Sequence, residues 1–256
     1  MKKFPHRQKL RNRFSRNFSA TLLLLCLFTG KHAMADDRNA LWNKINHQCV
    51  PDFSHGDEYA PCALVDANRG FVIYKVDNDA YQYLLLPTRK ITGIEDPKLL
   101  EPGPNYLYLA WLSRTFLMER LGKPIRERDV ALTVNASNAR SQDQLHIHIS
   151  CLSAEARSAI NQTIKSGSNA PIRIGSHYFF HQKISISDLK TDNLFKIVRG
   201  KVAWAKGNIA YSGAALVNLD PTTFLLLWSS GNKQHGIFAE QIQDHSCAIA
   251  GEAKSE

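Results

Sequence analysis

The segment Gln144-Leu145-His146-Ile147-His148-Ile149-Ser150-Cys151 alternates polar and apolar side chains. Positions two apart share a face of an extended strand, so Gln144, His146, His148 and Ser150 point one way and Leu145, Ile147 and Ile149 the other. The apolar face suits a core. Two imidazoles on the polar face are costly to bury without partners and useful for chemistry near neutral pH. The preceding polar loop adds Asn135, Arg140 and Ser141, whose amide, guanidinium and hydroxyl groups are the donors that hold phosphoryl oxygens.

Three readings of this pattern compete. A bare His-x-His pair is compatible with two hydrogen-bonded histidines on a solvated face. It also suits a metal site, with His177, His181, His235 or His245 as a further ligand, but such a site needs additional ligands and groups to orient them. The third reading is nucleophilic catalysis at phosphorus, one imidazole attacking while neighbouring donors hold the oxygens. The donor-rich loop favours it, and it requires neither a metal nor a cofactor.

The elements that must position these groups follow from apolar patterning. A short helix is expected around Ala40 to Cys49. Strands Phe71 to Val76 and Tyr81 to Leu86 form a hairpin across Asp77-Asn78-Asp79-Ala80, and a one-sided helix runs from Asn105 to Leu121, closed by Gly122. Strands Val130 to Val134 and Leu145 to Cys151 flank the polar loop, and Ser153 caps a helix running to about Lys165. Beyond it come a strand at Ile172 to Ile184, a helix at Leu189 to Val198, and strands Ala214 to Leu219 and Phe224 to Trp228. This order predicts an α+β fold with an antiparallel sheet and packed helices. A hairpin of apolar strands recurs in both halves, which is compatible with an internal duplication, although no residue-level repeat is visible.

With 44% hydrophobic and 21% charged residues in 256, the chain can build a sizeable core, which excludes a disordered tail. Eight of its nine net positive charges fall in residues 1–35, which hold no Asp or Glu. The body is nearly neutral, and a basic patch for nucleic acid is not expected on it. Residues 1–35 read as an export signal: a basic stretch to Arg16, an apolar run centred on Leu22 to Phe28, and Ala33-Met34-Ala35 as a small-residue cleavage site. The 14 uncharged residues between Arg16 and Lys31 fall short of the ~20 that comfortably span a bilayer, leaving cleavage near Ala35 or retention as an N-terminal membrane anchor. Both place residues 36–256 across the membrane. Four cysteines remain beyond Cys26, an even number for an oxidising compartment, and none of them stand at C-x-x-C spacing. The short loop with Pro51, Gly56 and Pro61 favours pairing Cys49 with Cys62, which leaves Cys151 for Cys247.

Residues 144–150 resemble the histidine-triad motif. The resemblance implies that His146 attacks the phosphorus bonded to a nucleoside, that His148 helps bind the phosphate, and that Asn135 and Ser141 are phosphate ligands, with Arg140 a helper. The first His of the triad is replaced by Gln144, so its orienting role falls to an amide. The run Gln82 to Thr88, the segment Glu240 to Cys247, the helix from Asn105 and the four cysteines extend the similarity, which is to bacterial CDP-diacylglycerol pyrophosphatases. That family implies a HIT-like sheet, CDP-diacylglycerol as substrate, CMP and phosphatidate as products, and work at the inner membrane on its periplasmic face. Two other functions fit the residues: action on another nucleotide diphosphate, and non-catalytic binding of a nucleotide or lipid headgroup.

Overall fold

A computed structural model describes residues 37–251. The chain divides into two units, Met1–Ala35 and Asp36–Glu256. The expected leader, residues 1–35, lies outside the described residues, and the fold below is that of the second unit. Among the described residues no helix is long and apolar enough to cross a membrane.

The chain opens with α1 (Ala40–Lys44), a π-helical turn (Ile45–Cys49) and α2 (Val50–His55), ending at Gly56 with φ 81°. The helix expected to stop near Cys49 thus continues. The wider π turn comes just before Pro51, whose ring would press on the carbonyl four residues back in a regular α-helix. Strand β1 (Cys62–Asp66), which the apolar pattern does not predict, leads to the expected hairpin of β2 (Phe71–Lys75) and β3 (Tyr83–Pro87). The helix expected over residues 105–121 is two, α3 (Tyr106–Leu112) and α4 (Arg114–Leu121). They part at Ser113, where ψ is 0° and the side-chain hydroxyl donates to the Leu109 carbonyl at 2.9 Å.

Strands β4 (Val130–Val134) and β5 (Ile147–Cys151) flank the polar loop, and α5 (Ala154–Ser166) follows, capped by the Ser153 hydroxyl on the Ala156 N–H at 3.1 Å. The single strand expected at 172–184 is a hairpin, β6 (Ile172–Ile174) and β7 (His177–Ser185), because Gly175 turns the chain at φ 56°. Helices α6 (Ile186–Thr191) and α7 (Leu194–Trp204) replace the one helix expected at 189–198, and Asn193 caps the second. Strands β8 (Ser212–Asp220) and β9 (Thr223–Ser230) complete the sheet.

These nine strands form one open sheet of order β1-β2-β3-β5-β4-β8-β9-β7-β6 with every pairing antiparallel. The expectation of an α+β fold with an antiparallel sheet is met. Each half runs hairpin, helix pair, hairpin. Counted outward from the centre, β4-β5-β3-β2 mirrors β8-β9-β7-β6. Both helix pairs cover the same face, where Leu107, Trp111 and Leu117 share one core with Leu189, Val198, Ile147, Ile149 and Leu226.

The other face is covered in two separate pieces. Ile45 and Cys49 pack on Val72, Tyr74 and Leu84 at the β1–β3 end. Helix α5 packs through Ala156 and Ile160 on a cluster with Ala131, Leu225 and Leu227 toward the other end. Strand β5 lies between these pieces, and its polar residues face the gap. Disulfides join Cys49 to Cys62 and Cys151 to Cys247, the pairing favoured by the spacing. Both pairs fit an exported or periplasmic protein.

Candidate active site

Residues 135–146, between β4 and β5, are held at several points. Ala136 N donates to the Ile237 carbonyl at 3.0 Å, Ser137 N to Ala210 at 2.8 Å and Leu145 N to Ile91 at 2.6 Å. Arg38 grips Asp143 at 2.6 and 2.7 Å and also donates to the carbonyls of Ser137 and Arg140. The loop therefore arrives at β5 in a fixed register, with His148 opposite Leu84 on one side and Thr133 on the other.

The predicted alternation holds for the histidines. Ile147 and Ile149 enter the helix-covered core, while His146 and His148 line a cavity of about 450 Å³ with Ala40, Leu41, Lys44, Tyr74, Val76, Asp77, Gln82, Leu84, Ser141, Gln142 and Glu240. The two rings meet edge to face, centroids 4.9 Å apart. His146 Nδ1 donates to the Gln144 carbonyl at 2.6 Å, which leaves the Nε2 lone pair free to act as a nucleophile. Burial, with the neighbouring His148 adding to it, pushes the His146 pKa down to about 3, so the ring is neutral and nucleophilic at neutral pH.

His148 rests on a carboxylate. Its Nδ1 lies 3.2 Å from Glu240 Oε1, and the same carboxylate accepts from the amides of Gln82 at 2.5 Å and Asn135 at 2.9 Å. Burial alone would raise the pKa of Glu240, but the bonds from His148, Asn135 and Gln82 outweigh it and bring the group down to about 2. His245 reaches the same carboxylate with Nε2 at 3.3 Å, while its Nδ1 lies 2.7 Å from Asp79. A chain Asp79, His245, Glu240, His148 thus runs back from the cavity wall.

The expected site residues have the following surroundings. The Arg140 side chain is 3% exposed and engaged by Glu95 at 2.6 and 3.0 Å and Asp143 at 3.2 Å. These bonds hold the loop. Asn135 is spent at both ends on Glu240, its Oδ1 accepting from the Glu240 N–H at 3.0 Å. Its amide lies 3.5 Å from His148 Nε2, so it positions the carboxylate and that ring. Ser141 does line the cavity. The Gln144 side chain is buried and lies outside β5: its amide donates to the carbonyls of Pro87 and Arg89 at 2.9 and 3.0 Å and accepts from Ile91 N at 3.3 Å. The orienting contact to His146 comes from its main chain.

Of the further histidines, His181 lies 3.2 Å from the Ala170 carbonyl, and His177 meets Phe179 edge to face, ring centres 6.4 Å apart. His245, named above only as a possible metal ligand, reaches Glu240 on the cavity wall. Glu240, Gln82, Asp79 and Lys44 were missed as site residues. Glu240, His245 and Gln82 sit in the segments that carry the family resemblance, which is the signal that marks them; periodicity marks none of them. Among the described residues no group of three or more His, Cys, Asp or Glu side chains is arranged to hold a metal ion.

A buried neutral imidazole stands beside a carboxylate-anchored one, both opening on a cavity of an antiparallel sheet, an arrangement whose chemistry suits nucleophilic group transfer. The sequence profile of the CDP-diacylglycerol pyrophosphatase family matches residues 36–251, and the chain belongs to that family. A protein of Mycobacterium leprae named probable CDP-diacylglycerol pyrophosphatase is 40% identical over 221 residues, covering 84% of this chain and 82% of that protein. The CDP-diacylglycerol pyrophosphatase of Mycobacterium bovis is 39% identical over 218 residues, covering 83% and 84%. That of Yersinia pestis is 34% identical over 244 residues, covering 91% and 95%.

Proposed function

We propose that this chain hydrolyses CDP-diacylglycerol to CMP and phosphatidate through a nucleotidyl intermediate on His146. Family membership supports the reaction, and the observation that carries the mechanism is the His146 ring: neutral, with its Nδ1 proton fixed on the Gln144 carbonyl. Nε2 forms a bond to the cytidylyl phosphorus, the P–O bond to the second phosphate breaks, and phosphatidate departs with that electron pair. Water then attacks the same phosphorus, the P–N bond breaks with its electrons returning to Nε2, and CMP is released. His148 lies beside the reacting phosphoryl oxygens, and Ser141 adds a hydroxyl donor. His148 faces those oxygens as negative charge builds on them, its ring held by the Glu240 carboxylate 3.2 Å from Nδ1.

The finer fold reading is a HIT-like unit, supported by His-x-His on a central strand, and duplicated, supported by the repeated order of hairpin, helix pair and hairpin on one sheet face. In the second half, apolar Leu225 and Leu227 under α5 fill the surface that carries the histidines in the first. The body works at the periplasmic face of the inner membrane, a place that suits two disulfides and a diacylglycerol substrate.

The test is rapid quenching of the protein with CDP-diacylglycerol. CMP should be trapped on His146 through an acid-labile P–N bond, and His146→Ala should abolish turnover and adduct together. Near-normal activity in His146→Ala, or activity lost to a chelator and restored by zinc, overturns the covalent reading.

A further inference from the structure

The cavity has a charge problem. Glu240 and Asp77 line it, and a diphosphate brings two more negative charges. The guanidinium expected to meet them, Arg140, is engaged by Glu95 and Asp143, and Arg38 is engaged by Asp143. Lys90 is taken by Asn39 Oδ1, and Lys75 by the carbonyls of Val76 and Asp79. Lys44 is the one Lys or Arg among the described residues lining the cavity.

Its setting differs from that of the other four. Lys44 projects from α1, a different wall from β5 with its histidines, and its partners are weak ones. The Tyr74 hydroxyl lies 3.2 Å from Nζ and the exposed Asp77 carboxylate at 3.5 Å, and the ammonium stands 5.3 Å from the Tyr74 ring centre. A phosphate oxygen can replace both contacts without stranding a buried charge, because Asp77 is 63% exposed.

We infer that Lys44 is a catalytic residue: it binds the phosphate of the leaving group and offsets the charge that group takes up as the bond to the nucleoside phosphorus breaks. This rests on the attack by His146 proposed above. When Nε2 bonds to that phosphorus, the electron pair of the breaking P–O bond stays on the departing phosphate, which leaves with one more negative charge. An in-line displacement puts that oxygen on the far side from the nucleophile, and a cation carried by a separate wall can meet it there. The ammonium keeps its proton throughout. Fixed cations aimed at charge that develops in the transition state act on kcat more than on KM.

The experiment compares two substrates on the full chain in detergent: CDP-diacylglycerol, and the p-nitrophenyl ester of CMP, whose phenolate leaves without help from an ammonium. Lys44→Met keeps the apolar stem and removes the charge. It should lower kcat on CDP-diacylglycerol by about 10²- to 10³-fold, the range for loss of one such group, and change the rate on the phenyl ester less than about threefold. Lys44→Arg should recover part of the loss. An equal loss on both substrates would show that Lys44 only supports α1 and would overturn the assignment, as would an effect confined to KM. The His146 adduct formed from the phenyl ester reports on the nucleophile separately, so a failure of that reading is distinguishable from a failure of this one.

Discussion

Replacing Glu240 by Gln tests the network behind His148. The carboxylate is depressed from an ordinary 4.5 to about 2, and at ~1.4 kcal/mol per unit this corresponds to about 3 kcal/mol of stability at neutral pH. The amide cannot accept at both ends, so one of the donors on Gln82, His148, His245 or Asn135 meets an N–H. A group whose pKa is lowered on folding contributes above its unfolded value and loses that contribution as pH falls through the folded one. The share from Glu240 is therefore complete above pH 4.5 and disappears toward pH 2. Urea unfolding at pH 7 should show Glu240→Gln less stable by about 3 kcal/mol, the gap closing as pH falls below 4.5. Turnover should fall by about 10²-fold because His148 loses the carboxylate that anchors its Nδ1. Equal stability of the two proteins at pH 7, or a gap that is independent of pH, would refute the electrostatic account.

The remaining expectations follow from the same geometry. His146 is neutral in the fold down to about 3 but ordinary at 6.5 when unfolded, so the native state loses stability as pH drops through that window; His146→Ala should flatten that loss in unfolding curves at pH 7.5 and 5. Gln144→His restores the usual first His of the motif, which by the resemblance should be tolerated, but breaking three bonds to the main chain should cost about 2–3 kcal/mol, and a Tm equal to wild type would contradict this. Gly93→Ala would put a Cβ 2.5 Å from Arg140 Nη1; thermal unfolding should drop by the equivalent of about 1–3 kcal/mol and activity should fall with the displaced loop. Separate Cys→Ala pairs should rank by loop length. Removal of Cys151–Cys247, which closes 96 residues, should cost about 4–5 kcal/mol, against about 3 for Cys49–Cys62 across 13. Only the first should also lower kcat, since Cys247 tethers the segment bearing Glu240 and His245.

What could be read from the sequence is what local pattern controls. The two-residue period of β5 put His146 and His148 on one face, apolar runs marked seven of the strands' positions in outline, and Ser153 marked a helix start. Strand β1 and the turn at Gly175 escaped because short strands and glycine turns carry little periodic signal. The polar loop is visibly donor-rich in the sequence, yet nothing local assigns partners to its donors. Arg140 and Asn135 are satisfied by Glu95, Asp143 and Glu240, partners far along the chain for Glu95 and Glu240. Burial in a low-dielectric interior compels such groups to pair with the nearest opposite partner, and only the tertiary fold decides which partner is near. The same holds for Lys44, Gln82, Asp79 and His245, brought to the β5 histidines from α1, the β2–β3 hairpin and the C-terminal segment. The sequence by itself put His146 and His148 on one face of their strand; the antiparallel order that sets β3 and β4 on either side of β5, and leaves that strand in the gap between two helical covers, decided everything that surrounds it.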